Sequence, residues 1–187
     1  TPEAISISSM GSEVISIDVK NDDSALQYDV VEVDPETSKE DSVGKFLKSP
    51  FLIQGLNNNK AYYYKVRAIN EYGSSEFTEV LGASPSPERS KVLIINGFDR
   101  TVGTTNTFDF IFEHGEAVRK NSYTFDSASN EAVINGTVKL TEFPIVNWIL
   151  GEEGTATSSF DEDEKRIVKN YILNGGRLFI SGSEIGY

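Results

Sequence analysis

The sequence predicts two domains, an all-β antiparallel sandwich followed by a three-layer α/β domain built on a parallel sheet. Three observations carry that prediction. Residues 4–82 hold short apolar runs with period-two alternation and no helical period. Residues 85–90 set Pro85 and Pro87 among serines, a composition that favours an extended, stiff connector because proline cannot continue a sheet ladder. Beyond it, continuous apolar runs suited to strands covered on both faces alternate with amphipathic helical patterns. The expected division is residues 1–84 for the sandwich, 85–90 for the connector and 91–187 for the α/β domain. The second domain is expected to continue past Tyr187, because its sheet is otherwise unusually small.

In the first part Ile15, Ile17 and Val19 alternate with Ser16 and Asp18, and Tyr28 and Val30 with Asp29 and Val31. Turns fall at residues 21–24, 57–59 and 70–73, all rich in Asn, Asp, Ser or Gly. In the second part Val92 to Ile95 reads as the first buried strand. Phe108, Ile111, Phe112 and Val118 then lie on one helical face over residues 107–120. Residues 123–125 read as a short edge strand closed by Asp126 and Ser127, and residues 130–134 as a helical turn. Residues 145–150 form the next strand, with Trp148 in the core. Ser159 with Glu162 reads as the capping box of a helix that Asn174 and Gly175 end, and Leu178 to Ile180 reads as the last buried strand.

Composition narrows the function classes. The chain has 187 residues, 38% of them hydrophobic, and a formal net charge of −12. That charge argues against nucleic acid and anionic membrane surfaces, whose affinity comes from Lys and Arg. No cysteine is present, so thiolate metal sites and a cysteine nucleophile are excluded. No apolar run approaches the roughly 20 residues of a membrane helix, and the first residues do not read as a signal peptide. No G-x-G-x-x-G or P-loop follows the first strand, so a dinucleotide or nucleoside triphosphate is not expected.

In an open parallel sheet the ligand crevice lies outside the carboxyl ends of the strands. Each strand end expected here delivers a carboxylate to that edge: Asp99 with Arg100, Asp126 with Ser127, Glu152 with Glu153, and Ser183 with Glu184. The last pair stands in Gly182-Ser183-Glu184-Ile185-Gly186, a glycine-flanked turn with the outline of a nucleophile elbow. At its centre Glu184 can serve as base, metal ligand or nucleophile, but it is not the Ser or Cys of acyl transfer. The candidate catalytic residues are Glu184, Ser183 and Asp99, and the candidate ligand-binding residues are Arg100, Asp126, Ser127, Glu152 and Glu153. No cofactor is expected, although clustered carboxylates also suit Ca²⁺ or Mg²⁺. His114, the sole histidine, falls on the first helix rather than at a strand end and reads as a surface or helix-face residue, not part of the set.

Leu56, Tyr62, Tyr64, Val66, Ala68 and the turn at Asn70 to Gly73 resemble the E to F corner and F strand of a fibronectin type III domain. The resemblance implies that the Tyr62 hydroxyl bonds back to the backbone. That family's strand B tryptophan is missing and Val19 sits near its place, so the core there is expected to be aliphatic; an immunoglobulin-like relative remains open. From Lys91 the chain resembles the amino-terminal half of a flavodoxin-like domain of the class I glutamine-amidotransferase-like kind. Lys91-Val-Leu-Ile-Ile-Asn-Gly, Phe143-Pro-Ile-Val-Asn-Trp-Ile-Leu and Gly175-Gly-Arg-Leu-Phe-Ile-Ser-Gly carry this likeness. That family often keeps a Cys at the elbow, or in some branches another residue, and Glu184 occupies the place here, which speaks against glutaminase chemistry. The strings Phe125-Asp-Ser-Ala-Ser-Asn-Glu-Ala-Val, Trp148-Ile-Leu-Gly-Glu-Glu and Ser181-Gly-Ser-Glu-Ile-Gly, behind a fibronectin-like module, are similar to secreted bacterial proteins labelled xanthan lyase or N-acetylmuramoyl-L-alanine amidase. That similarity implies an extracellular or periplasmic setting, a polysaccharide or peptidoglycan partner, and membership of a longer hydrolase or lyase. A non-catalytic glycan- or cation-binding or spacer module is the alternative.

Overall fold

The structure, a computed structural model, describes residues 1–20, 24–98, 107–152, 159–183 and 185. Eight strands form the first half: β1 (Ile5–Gly11), β2 (Val14–Val19), β3 (Gln27–Val33), β4 (Glu40–Phe46), β5 (Phe51–Gln54), β6 (Tyr62–Asn70), β7 (Gly73–Ser74) and β8 (Leu81–Ala83). All pair antiparallel, β1-β2-β5 on one side and β4-β3-β6 with β7 and β8 on the other. Alternation sets the inner faces: Ile15 and Ile17 from the first sheet meet Tyr28, Val30, Tyr64 and Val66 from the second, all buried. The expected aliphatic filling of the second strand is what the core shows, with Val19 also buried. Tyr62 opens β6, and its hydroxyl accepts a hydrogen bond from the Asn57 backbone N–H at 2.7 Å. The corner implied by the sequence is therefore present.

The second half runs β9 (Val92–Asn96), α1 (Phe110–Lys120), β10 (Phe125–Ser129), α2 (Asn130–Ile134), a 3-10 turn at Leu140–Glu142, β11 (Ile145–Ile149), α3 (Glu162–Leu173) and β12 (Arg177–Ser181). Strands β10, β9, β11 and β12 lie side by side in that order, all parallel. Their alternate side chains enter two cores. Val92 and Ile94 face the core shared with the sandwich and Ile111 of α1; Leu93, Ile95, Val146 and Trp148 face the core shared with α2 and α3.

These four strands do not make a separate sheet. β10 pairs antiparallel with β1, at Ser6 with Ala128 and Ile7 with Ser127, so one seven-stranded sheet runs β12-β11-β9-β10-β1-β2-β5 through both halves. The connector at residues 85–90 is clamped against this junction. The Ser86 N–H donates to Gly11 O at 3.0 Å, and Ser84, Ser86 and Ser90 are all buried.

Four local expectations need correction. The first helix begins at Phe110 rather than at residue 107. The segment expected as an edge strand over residues 123–125 is a central strand, Phe125–Ser129, buried throughout, because β9 and β1 flank it on both sides. The last strand is not buried; it is the outermost of the sheet, and Phe179 is 60% exposed. The capping box of α3 is Asp161 with Glu164, not Ser159 with Glu162.

Candidate functional site

The sequence-predicted site residues separate into three groups. Asp99, Arg100, Glu153 and Glu184 lie outside the described residues. Asp126 and Ser127 were expected to follow a strand, and instead stand inside β10, away from its carboxyl end. Their polar atoms are taken up at the junction of the two halves. Asp126 Oδ1 accepts from the Ser9 N–H at 2.9 Å and the Ser90 hydroxyl at 2.8 Å. Ser127 Oγ accepts from the Gly82 N–H at 2.8 Å and donates to Gly82 O at 2.5 Å. Burial pushes the Asp126 carboxyl up to about 6, against the pull of those two hydrogen bonds and of Arg89. These two side chains fasten the sheet.

Glu152 and Ser183 do sit at the carboxyl edge, both exposed. Glu152 lies on the turn after β11. The Ser183 N–H donates to Gly151 O at 2.8 Å, which draws the chain leaving β12 onto the chain leaving β11. Gly182 is required there, since a Cβ would stand 2.8 Å from Leu150 Cβ and 2.9 Å from Gly151 O. Among the described residues no three His, Cys, Asp or Glu side chains gather as a metal site.

Sequence reasoning missed a polar cluster on the α1 face of the same sheet. Asn147 is buried at the middle of β11, and its Nδ2 lies 2.7 Å from His114 Nδ1. The opposite ring nitrogen, Nε2, lies 3.4 Å from Oγ of Ser181, the last residue of β12. Burial lowers the His114 pKa, against the opposing effects of its bond to Asn147 and of Glu113, so the ring is neutral near pH 7. Two signals were available in the sequence. Asn147 is the one polar residue in Ile-Val-Asn-Trp-Ile, and His114 falls three residues after the buried Ile111, on the helix's inner face.

The sandwich also reaches this edge. Asn96, the last residue of β9, donates from Nδ2 to Glu79 Oε2 at 2.6 Å. Gly97 follows with its Cα against the Trp148 indole, where a Cβ would meet Nε1 at 1.9 Å. The indole Nε1–H is buried and has no hydrogen-bond partner among the described residues. On the α3 side Asn130 Nδ2 donates to Glu164 Oε1 at 3.0 Å. A groove of about 680 Å³ lies elsewhere, between α1 and the sandwich, lined by Tyr63, Phe112, Glu116 and Arg119 among others. It contains none of the residues at the carboxyl edge.

A family model described as the second immunoglobulin-like domain of tip attachment protein J matches residues 27–95. No curated protein matches the chain. Similar solved structures are fibronectin type III domains. The crystal structure of FN3tt is 18% identical, covers 44% of this chain and 88% of its own, with a TM-score of 0.39. The domain from the human collagen alpha-1(XX) chain is 17% identical, covers 55% and 90%, with a TM-score of 0.41. The sixth domain of human fibronectin type III domain containing protein 3 is 14% identical, covers 55% and 91%, with a TM-score of 0.39. The first half of the chain is an immunoglobulin-like sandwich of the fibronectin type III kind, as its strand pairing and the Tyr62 corner show. No helix among the described residues is long and apolar enough to cross a membrane.

Proposed function

We propose that this chain is part of a secreted carbohydrate-active or cell-envelope hydrolase or lyase, acting on polysaccharide or peptidoglycan, with an acidic site at the carboxyl edge of its parallel strands. In this reading the second half is flavodoxin-like. Counted in chain order its strands lie second, first, third, fourth, a doubly wound order whose switch point falls between the first and the third. The observation that carries the reading is register. Asn96 pairs with Ile149, and Ile149 with Ser181, so β9, β11 and β12 end in one row. The segments bearing Asp99 and Arg100, Glu152 and Glu153, and Ser183 and Glu184 all leave from that row. An acidic side chain delivered to such an edge suits general acid or base work, or helps to hold a hard cation such as Ca²⁺ or Mg²⁺.

The test is Glu184→Gln in the intact protein that carries this chain. Turnover of the polysaccharide or peptidoglycan substrate is expected to fall by roughly 10²–10⁴, the usual contribution of one acid–base group. Unchanged turnover removes Glu184 from the mechanism. The continuous sheet favours a second reading, because it makes the sandwich a fixed extension of the α/β half, as a spacer or non-catalytic binding module needs. Calorimetry with Ca²⁺ and a glycan panel separates the two: binding without turnover by the intact protein selects the module.

A further inference from the structure

We propose that Asn147, His114 and Ser181 form a one-way hydrogen-bond relay, which presents the Ser181 hydroxyl as a donor to a carboxylate ligand beside β12. The relay goes beyond the glycan reading, since it follows from three side chains and not from the acidic residues.

The direction of the relay begins at Asn147. This residue is 8% exposed, its Nδ2 faces His114 Nδ1 at 2.7 Å, and its Oδ1 is buried without a partner among the described residues. An amide nitrogen only donates, so the contact is a hydrogen bond only when Nδ1 carries no hydrogen. The opposite amide orientation leaves both N–H groups of Asn147 buried and unbonded, whereas the orientation present leaves at most one N–H beside the bare carbonyl oxygen, and an orphaned N–H is the rarer of the two. The ring, kept neutral by burial, therefore carries its hydrogen on Nε2. Nε2–H points at Ser181 Oγ, 3.4 Å away. With its oxygen accepting from the ring, Ser181 has its own hydrogen free to donate outward, and each bond polarises the next.

The surroundings identify the acceptor. Arg177, Phe179 and Ser181 alternate along one face of β12, the face shared with Asn147, as the pairing of Asn147 with Phe179 fixes. Phe179 is 60% exposed, so this strip is uncovered, and Ser181 is half-buried at its end. What the strip itself offers is donors, the Ser181 hydroxyl at one end and the exposed Arg177 guanidinium at the other, with the apolar Phe179 ring between them; Glu113 of α1 acts on His114 and is the acidic group that a carboxylate there must tolerate. A carboxylate, which only accepts, fits that inventory better than a hydroxyl, which also needs an acceptor. Ser181 is the ligand-contacting residue; His114 and Asn147 are positioning residues.

Nitrogen-15 spectra of the His114 ring test the relay in this chain. At neutral pH the native ring is expected to show a bare Nδ1 and a protonated Nε2. Sodium acetate, added against sodium chloride at constant ionic strength, is expected to shift the Ser181 and His114 signals saturably, with a Kd on the order of millimolar. Asn147→Asp replaces the donor with an acceptor. Above the ring's own titration midpoint, which the same spectra give, Nδ1 gains the hydrogen, the Ser181 hydrogen turns inward and acetate affinity falls about tenfold or more. Ser181→Ala, at a half-exposed strand end, keeps the native tautomer and abolishes the acetate response. A sugar acid and an N-acetyl amino acid, each compared with acetate, then tell which source of carboxylate the strip prefers. A native ring protonated on Nδ1, an Asn147→Asp ring with the native tautomer, or an acetate response equal to that of chloride overturns the proposal. Because none of these readouts involves Glu184 or turnover, the relay and the hydrolase reading fail independently.

Discussion

Asp126 is a carboxylate placed where a sheet needs uncharged filling. It is 5% exposed, it receives two hydrogen bonds, and burial still raises it from 3.8 to about 6. For an acid whose folded pKa is raised, the unfolded state holds fewer protons between the two values. The contribution is therefore fully present below the unfolded value and lost as pH rises through about 6. The rise from 3.8 to about 6 amounts to roughly 3 kcal/mol of stability lost by about pH 7 relative to about pH 2. Asp126→Asn keeps an acceptor for the Ser9 and Ser90 donors and removes the charge. Urea unfolding of this variant across that range is expected to show a flatter pH dependence than native, with the gain in stability largest above pH 6. An unchanged slope contradicts the buried-charge account.

At the scale of elements, α3 shows how two valid local signals are arbitrated. Ser159 with Glu162 and Asp161 with Glu164 both fit the spacing of a capping box, and either start presents acidic residues to the positive helix end. The structure uses the second pair. Asp161 Oδ1 accepts from the Glu164 N–H at 2.7 Å, and Glu164 Oε2 accepts from the Asp161 N–H at 2.8 Å. Glu164 Oε1 is meanwhile held by Asn130 at the head of α2. That last bond joins two helices packed on the same sheet face, and it fixes the start two residues later than the first signal. Asp161→Ala is expected to cost about 1 kcal/mol in urea unfolding, and Ser159→Ala only a few tenths. Equal losses at the two positions contradict the assignment. β10 shows the same logic. Phe125 to Ser129 holds three polar residues in five, yet it is a buried strand between β9 and β1, its serines and its aspartate bonded across the junction.

The whole molecule is organised by one sheet that two architectures share. Antiparallel β1-β2-β5 belongs to the sandwich and parallel β10-β9-β11-β12 to the α/β half, and the β1 to β10 pairing joins them. Their cores are continuous as well, since Ile5, Ile7 and Tyr64 of the sandwich share one apolar cluster with Val92, Phe125 and Ile111. Separate cores unfold separately, whereas a shared core and a shared ladder couple the halves. Trp148, the single tryptophan, lies in the α/β half and reports it by fluorescence, while far-UV circular dichroism sums the helices of that half and the strands of both. The two probes are expected to give superimposable urea transitions. A tryptophan transition displaced from the circular dichroism transition contradicts the coupling. For the proposed site, the coupling means that Glu79 of the sandwich is held at the carboxyl end of β9 by the fold itself.

The sequence by itself determined the antiparallel first half, the Tyr62 corner, the succession of strands and helices after residue 90, the end of α3 at Asn174 and the buried place of Trp148. These are set by periodicity, turn residues and caps, which act over a few neighbouring positions. Tertiary structure decided which strand became the edge, which capping signal was used, that Asp126 and Ser127 join the halves instead of facing a ligand, and that His114 meets Asn147 and Ser181. Each of these depends on a partner 33 to 124 positions away in the chain, as with Asn147 and His114 or Ile5 and Ser129, and no local pattern records which distant residue arrives.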